Sequence, residues 1–168
     1  MLLKYFFDTS ALVKLFQAEN GSEIVEEIVN DPDNDLWVLD LVRIEFLSCI
    51  YRRCRNKDIS EKNLDVVIDS FNEQLIEFKQ QFLGTAVLFE AEQLMNEYAK
   101  EYGLRTLDAL HLAAFRILQA KNWYFVCADN RLCNIAKLCK INVLNPVEAG
   151  WKGGIAPRNR NGKHRSDP

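Results

Sequence analysis

A chain of 168 residues with 48% hydrophobic and 11% aromatic residues is long enough to bury the core of one domain, which excludes a disordered polymer. No apolar run reaches the roughly 18 residues of a membrane span, and the N-terminus lacks the pattern of a secretory signal. We therefore expect a cytoplasmic protein with no membrane partner. The five cysteines are odd in number and lack CxxC spacing, which argues against a zinc site or a disulfide framework.

The net charge of −3 is unevenly distributed along the chain. Residues 150–168 contain five Lys or Arg and one Asp, a charge of +4, which leaves −7 for residues 1–149. We expect one globular domain over residues 1–149, followed by a basic, flexible C-terminal tail over residues 150–168. A body this acidic does not hold nucleic acid by a broad basic surface. Contact with nucleic acid would therefore need a bridging metal ion and local basic side chains.

The first half of the chain alternates short apolar strands with helices. Thr9 or Ser10 can cap the first helix, and Asn20 fits a capping box at the second. The segment from residue 60 keeps an apolar face at helical period up to Phe82, which predicts one long helix. We expect strands over residues 4–7 and 36–39, and helices over residues 9–16, 20–29, 41–53 and 60–82.

The second half continues this alternation. Gly103 is placed to end a helix and Thr106 to cap the next. We expect strands over residues 85–88, 123–128 and 141–144, and helices over residues 90–102, 106–120 and 131–139. The whole pattern predicts an α/β fold with a short, mainly parallel central sheet covered by helices on both faces.

Four carboxylates occur in otherwise apolar stretches. Asp8 and Asp129 follow predicted strands, whereas Glu45 and Asp108 fall in predicted helices. Sites in parallel α/β folds form outside the carboxyl ends of the strands. Because four buried anions in one place would repel each other strongly, we expect cations to accompany them.

Each of these acids also has an ordinary structural explanation. Asp8 can cap the helix after it, Asp108 can stabilise a helix N-terminus, and Asp129 can serve a turn. The alternative for Glu45, which lies on an apolar helix face, is an ion pair with an arginine of the same helix. His111 follows Asp108 by three residues, and we expect it to support the site by hydrogen bonding rather than to bind metal.

Four segments combine these residues in a recognisable order. They are Phe7-Asp-Thr-Ser-Ala-Leu-Val-Lys-Leu-Phe16, Arg43-Ile-Glu-Phe-Leu47, Thr106-Leu-Asp-Ala-Leu-His-Leu-Ala113 and Cys127-Ala-Asp-Asn-Arg-Leu132. Together they resemble the PIN-domain ribonucleases, and most closely the VapC-type toxins of bacterial and archaeal toxin–antitoxin pairs. The resemblance covers about residues 2–146.

The resemblance implies a PIN-like three-layer fold and a metal-dependent endoribonuclease. The family's small hydroxyl beside the first acid falls on Ser10 or Thr9, and Ser10 is preferred. It also implies Mg²⁺ or Mn²⁺ as cofactor, an RNA substrate, a homodimer and a cognate antitoxin protein. The family's catalytic and metal-binding quartet falls on Asp8, Glu45, Asp108 and Asp129.

From this resemblance and the chemistry of carboxylates we expect the four acids to have different roles. Asp8 and Asp108 bind a divalent ion directly, and Glu45 and Asp129 complete the site through water or a second ion. Cleavage by metal-activated water would leave a 5′-phosphate and a 3′-hydroxyl.

Several basic residues lie close to the acids in sequence. Arg43, Arg105 and Arg131 are each within three residues of a candidate acid, and we assign them no role. Arg43, Arg52 and Arg53 are expected on a different face of their helix from Glu45. The predicted long helix and the basic tail both depart from the family's pattern.

Other functions are compatible with parts of this pattern. A phosphotransferase of the haloacid-dehalogenase kind would need a second Asp at the position of Ser10, which argues against it. A non-catalytic PIN-like module that binds RNA or protein remains open. A metal nuclease acting on DNA also remains open, because the acids alone do not distinguish the sugar.

Overall fold

The computed structural model describes residues 2–148, and five parallel strands within them form one sheet. The strands are β1 (Lys4–Phe7), β2 (Asp35–Leu39), β3 (Lys79–Gln81), β4 (Trp123–Val126) and β5 (Val143–Leu144). Their order across the sheet is β3-β2-β1-β4-β5. Because β1 pairs with β2 on one side and with β4 on the other, the direction of winding reverses between β1 and β4.

Helices cover both faces of this sheet. They are α1 (Thr9–Leu12), which continues into a 3₁₀ turn (Val13–Leu15), α2 (Ser22–Asn30), α3 (Val42–Arg55), α4 (Glu61–Leu75), α5 (Thr85–Tyr102), α6 (Thr106–Leu118) and α7 (Asn130–Leu138). Side chains alternate along β1, so Phe6 joins the core under α5, α6 and α7, and Tyr5 and Phe7 join the core under α1 to α4. The predicted three-layer α/β fold is confirmed.

Aromatic packing fixes α3, the helix that carries Glu45. Phe46 stacks on Phe71 of α4 with ring centroids 3.8 Å apart, and Phe16 meets both rings edge-on. Stacked and edge-on arrangements are the favourable geometries for aromatic pairs. Phe46, the residue after Glu45, therefore anchors α3 to the core.

The long helix predicted over residues 60–82 is wrong at its C-terminal end. α4 ends at Leu75, and Phe78 is buried in the core just before β3 begins. Since β3 has the polar sequence Lys-Gln-Gln, no apolar alternation marks it as a strand. Polar and charged side chains are typical of an edge strand such as this one.

The strand predicted over residues 85–88 is also wrong. These residues form the first turn of α5, and Val87 packs in the core with α6. A four-residue apolar run does not by itself distinguish a strand from a buried helical turn. Apart from α4 and α5, the predicted elements are found with boundaries that differ by at most two residues.

Two predicted helix caps are replaced by other residues. The N-cap of α2 is Gly21 rather than Asn20, with a φ of 90°, and a Cβ there would lie 2.7 Å from the carbonyl oxygen of Pro146. Glycine is needed at this position because of both the left-handed backbone and the close approach. Thr106 is the first residue of α6, and its N-cap is Arg105, which makes no side-chain capping bond.

Within residues 2–148, no helix is both long and apolar enough to cross a bilayer. The tail predicted over residues 150–168 lies outside the described residues.

Candidate active site

Two of the four candidate acids lie where adjacent strands end together. Phe7 and Val126 are register partners at the ends of β1 and β4, and the amide of Asp8 donates to the carbonyl of Val126 at 2.9 Å. Asp129 follows β4 at the same edge of the sheet. The winding reverses between these two strands, and open α/β sheets leave a crevice at such a point.

Asp8 is the N-cap of α1 and is held by Ser10. Its Oδ2 accepts the amide of Ser10 at 3.0 Å and the hydroxyl of Ser10 at 2.5 Å. That hydroxyl in turn accepts the amide of Ala128 at 3.0 Å, which links the loops after β1 and β4. The prediction that Thr9 or Ser10 caps this helix is therefore wrong, because Asp8 itself is the cap.

Glu45 projects from the first turn of α3 and contacts Thr9 and His111. Thr9 Oγ1 and His111 Nε2 each lie 2.5 Å from Glu45 Oε2, so Glu45 pairs with a histidine and not with an arginine of its own helix, which is the alternative explanation for this residue. Burial alone would raise the pKa of Glu45. The hydrogen bonds from His111 and Thr9, with the charge of His111, hold that pKa below its ordinary value instead.

His111 is buried among these acids. Burial would lower the pKa of His111, but the hydrogen bond to Glu45 and the charges of Asp8, Glu45 and Asp108 raise it above its ordinary value. The side chain is 1% exposed, and among residues 2–148 its Nδ1 finds no hydrogen-bond partner. His111 thus contacts Glu45 through one ring nitrogen and is shielded from solvent.

Asp108 lies in the first turn of α6, close to two other acids. Burial raises the pKa of Asp108 above its ordinary value, and the charges of Asp8 and Asp129 raise it further. Arg131 and Arg105 act in the opposite direction. Nη2 of Arg131 lies 3.2 Å from Asp108 Oδ2 and 3.9 Å from Asp129 Oδ2, so this arginine connects two of the acids.

The structure therefore brings all four acids to one neighbourhood. Asp8 and Asp129 act on Asp108, while Glu45, Asp8 and Asp108 all act on the ring of His111. The cations expected beside the acids include an arginine in the first turn of α7, and the ring of His111 lies beside Glu45. This arginine, Arg131, receives no role from sequence alone, although its position two residues after Asp129 is the signal that points to it.

The chemistry of these donors suits a hard divalent ion. Carboxylate oxygens are the ligands that Mg²⁺ and Mn²⁺ prefer. Burial raises the pKa of Asp108, the charges of Asp8 and Asp129 raise it further, and a bound cation would relieve the repulsion among these acids. In the part of the chain that the structure describes, no group of three or more His, Cys, Asp or Glu side chains is already arranged to hold a metal. The donor set fits such an ion, but in this conformation its members pair with His111 and Arg131.

A cavity of about 630 Å³ opens beside the acids. Glu45 and Asp129 line one part of it, and Arg52 and Arg53 line another. This volume is within the usual range for ligand sites in proteins. The prediction that Arg52 faces away from Glu45 is wrong, because residues seven apart share a helix face.

Comparison with known proteins supplies the family. A family model described as the PIN domain matches residues 5–138. Comparison with curated protein sequences gives no match. PAE2754 from Pyrobaculum aerophilum has a similar structure, with 17% identity over 85% of this chain and 84% of that chain and a TM-score of 0.60.

Two further solved structures are similar to this chain. VapBC-1 from nontypeable Haemophilus influenzae matches with 11% identity over 87% of this chain and 100% of that chain, at a TM-score of 0.60. FitAcB from Neisseria gonorrhoeae matches with 14% identity over 84% of this chain and 97% of that chain, at a TM-score of 0.63.

At such low identities the structural matches establish the fold alone. The family model is more specific, because it matches the sequence itself over residues 5–138, a range that contains all four acids and the strands that carry two of them. The chain belongs to the PIN domain family.

Proposed function

We propose that this chain is a divalent-metal-dependent endoribonuclease that hydrolyses RNA phosphodiester bonds, and that it is the toxin of a toxin–antitoxin pair. PIN domains are generally nucleases, which provides the reaction class. The observation that carries the proposal is the meeting of Asp108 and Asp129 on Arg131 at the ends of β1 and β4, where burial, and then the charges of Asp8 and Asp129, raise the pKa of Asp108. Proteins rarely bury mutually repelling carboxylates unless the arrangement serves a function.

The acids divide into two pairs in this proposal. Asp8 and Asp108 would hold Mg²⁺ or Mn²⁺ directly, and Glu45 and Asp129 would complete the site through water or a second ion. When bound, such an ion supplies an activated water nucleophile and stabilises the charge that develops on the phosphate. The products would be a 5′-phosphate and a 3′-hydroxyl.

The remaining polar groups position the acids. Ser10 fixes one oxygen of Asp8 through its amide and hydroxyl, and Thr9 and His111 fix one oxygen of Glu45. Orienting the ligands of a metal in this way is a common source of affinity and activity. These three residues are therefore positioning residues in the proposal rather than metal ligands.

The direct test replaces Asp8 by Asn in the purified full chain. We expect Mg²⁺-dependent cleavage of a labelled RNA to fall by about 100-fold or more, because the variant loses a charged ligand at the reacting centre. Asp69→Asn, an exposed position on α4, is the matched control and should retain full activity. Undiminished cleavage by Asp8→Asn would contradict this mechanism.

One observation favours a second candidate, a non-catalytic module. Arg131 pairs with two of the acids, and residues 2–148 contain no ready-made metal cluster. If wild type binds RNA but cleaves neither RNA nor DNA with Mg²⁺ or Mn²⁺, this second function is the correct one. Matched RNA and DNA oligonucleotides in the same assay also separate a ribonuclease from a DNA-directed nuclease.

The biological setting is proposed from resemblance. The motifs resemble VapC-type toxins, and VapBC-1 and FitAcB are toxin–antitoxin proteins of similar fold. We therefore expect a cognate antitoxin, a homodimer and a cytoplasmic location. Light scattering of the purified chain, alone and with the product of a neighbouring small gene, would measure both associations. A monomer that binds no such product would contradict them.

A further inference from the structure

One face of α3 runs along the cavity, and the charge on this face changes from negative at Glu45 to positive at Arg52. Glu45, Ser48, Cys49 and Arg52 are spaced as i, i+3, i+4 and i+7, which places them on one side of a helix, and all four line the cavity. The rise between Glu45 and Arg52 is about 10 Å, from 1.5 Å per residue. Two of the candidate acids, Glu45 and Asp129, and a basic end therefore line one continuous space.

Three cations line the basic end, and two of them share a single acid. Lys14 is buried, and its Nζ lies 3.2 Å from Glu19 Oε1 and 2.9 Å from the carbonyl oxygen of Asn20. Nη2 of Arg53 lies 3.8 Å from Glu19 Oε2. Two of the three cations are thus already engaged.

Arg52 is the cation left over. Among residues 2–148, its side chain has no hydrogen bond and no ion pair, and it is exposed to the cavity. A guanidinium group offers five donors in a planar fork that matches the oxygens of a phosphate. An arginine left unpaired among residues 2–148, whose backbone lies about 10 Å along α3 from Glu45, is suited to a second phosphate of the same strand.

Apolar side chains also line the cavity. Leu41 and Val13 line the cavity, and Ile44 and Leu107 at its rim are 67% and 47% exposed. A nucleic-acid strand presents anionic phosphates and the flat apolar faces of its bases. Among single-stranded nucleic-acid sites, a basic groove with apolar contact surfaces is the usual combination.

We propose that Arg52, supported by Arg53, forms a subsite for one phosphate of the nucleotides that flank the cleaved bond. The inference rests on the proposed function and extends it by assigning one end of the cavity to a phosphate of the substrate that is not cleaved. Since the body of the chain carries −7, this end of the cavity would provide one local phosphate contact rather than diffuse attraction.

The test combines one protein change with one substrate change. RNA oligonucleotides with a single cleavable bond carry a neutral methylphosphonate at one neighbouring linkage at a time, from one to three linkages away on either side. Each is cleaved by wild type and by Arg52→Gln. Arg43→Gln is the matched control, because it lies about two and a half turns earlier on α3 and does not line the cavity.

We expect the effect of methylphosphonate on cleavage to depend on Arg52 at one linkage. At that linkage, methylphosphonate should raise the KM of wild type by about tenfold, the loss of one charged hydrogen-bond pair, with kcat changed less than about twofold. Arg52→Gln should show the same rise in KM on unmodified RNA and no further rise at that linkage. Arg43→Gln should behave as wild type at every linkage.

Equal and additive effects at all linkages, or no effect of Arg52→Gln, would overturn the subsite. If poly-glutamate displaces the RNA and no linkage is coupled to Arg52, the basic end serves an acidic peptide and the inference is also wrong. Should wild type not cleave at all, the proposed function fails separately. The same coupling is then sought in dissociation constants from fluorescence anisotropy, where its absence overturns the subsite.

Discussion

Single carboxylates in this site perform two tasks at once. Asp8 caps α1 and Asp129 caps α7, yet both charges act on Asp108. A carboxylate has two oxygens with several acceptor positions, so one oxygen can accept a helix amide while the other faces a cation. Oδ1 of Asp129 accepts the amide of Leu132, and Oδ2 faces Arg131. Capping therefore does not argue against a role in the site, although the sequence presents the two as alternatives.

The Ser10 hydroxyl provides a prediction at this scale. In Ser10→Ala, Asp8 loses a donor and the amide of Ala128 loses its acceptor. We expect the free energy of unfolding to fall by about 1–3 kcal/mol, because a polar group near the core is left unsatisfied. Urea denaturation measures this. Ser70→Ala, which removes an exposed hydroxyl on α4, is the control, and an equal effect of both changes would contradict the prediction.

Some contacts of this site can be predicted from sequence, and others depend on how distant helices pack together. Asp8 and Asp129 follow apolar strands, and the parallel pattern is sufficient to bring strand ends together. The pairing of Glu45 with His111 and of Arg131 with Asp108 depends on how α3, α6 and α7 pack, which no local pattern reports. Arg52 is different, since its seven-residue spacing from an acid already indicates a shared helix face.

At the scale of elements, the errors occur where an edge strand is polar. β3 contains no apolar residue that would mark it as a strand, so the sequence alone extends the helical period of α4 through it. Pairing with β2 decides the conformation of β3 instead. The strong elements, β1, β4 and α6, are predicted well because their apolar runs are buried on both sides. Tertiary pairing overrides local pattern mainly at the margin of the sheet.

The amino ends of three strands are tied together by one acid. Asp35 of β2 lies 2.7 Å from the Nζ of Lys79 in β3 and 3.4 Å from the Nζ of Lys4 in β1, with its side chain 6% exposed. Burial alone would raise the pKa of Asp35. Hydrogen bonds from Lys79 and Lys4 and the charge of Lys79 outweigh burial and lower it.

This ion cluster predicts a pH dependence of stability. Because the folded pKa of Asp35 lies below the ordinary value of 3.8, its contribution is present above that pH and is lost as the pH falls through the folded pKa. We expect Asp35→Asn to be less stable than wild type by about 1–2 kcal/mol at pH 7, with the difference closing below pH 3.8. Urea denaturation across this range measures it, and a difference that does not change with pH would contradict the prediction.

At the scale of the molecule, the buried charge of Asp108 opposes the stability of the fold. The raised pKa of Asp108 means that its charged form is disfavoured on balance, even with Arg131 beside it. Residues arranged for function are often destabilising to the fold, so relief of this repulsion should stabilise the protein.

We expect Asp108→Asn to raise the stability of the protein in EDTA by on the order of 1 kcal/mol at neutral pH. Added Mg²⁺ should raise the melting temperature of wild type, since a ligand of the folded state stabilises it, and should raise that of the variant much less. Thermal denaturation with and without Mg²⁺ measures both effects. A variant less stable than wild type in EDTA, or an equal response to Mg²⁺, would contradict this account.

The order of strands has a further consequence for synthesis on the ribosome. β1 is made first, but its neighbour β4 and the last two acids, Asp108 and Asp129, emerge only near the end of the domain. A nascent chain therefore lacks two of the four candidate acids until most of the domain has been translated. Under the proposed function, the complete site therefore forms only after most of the message that encodes it has been read.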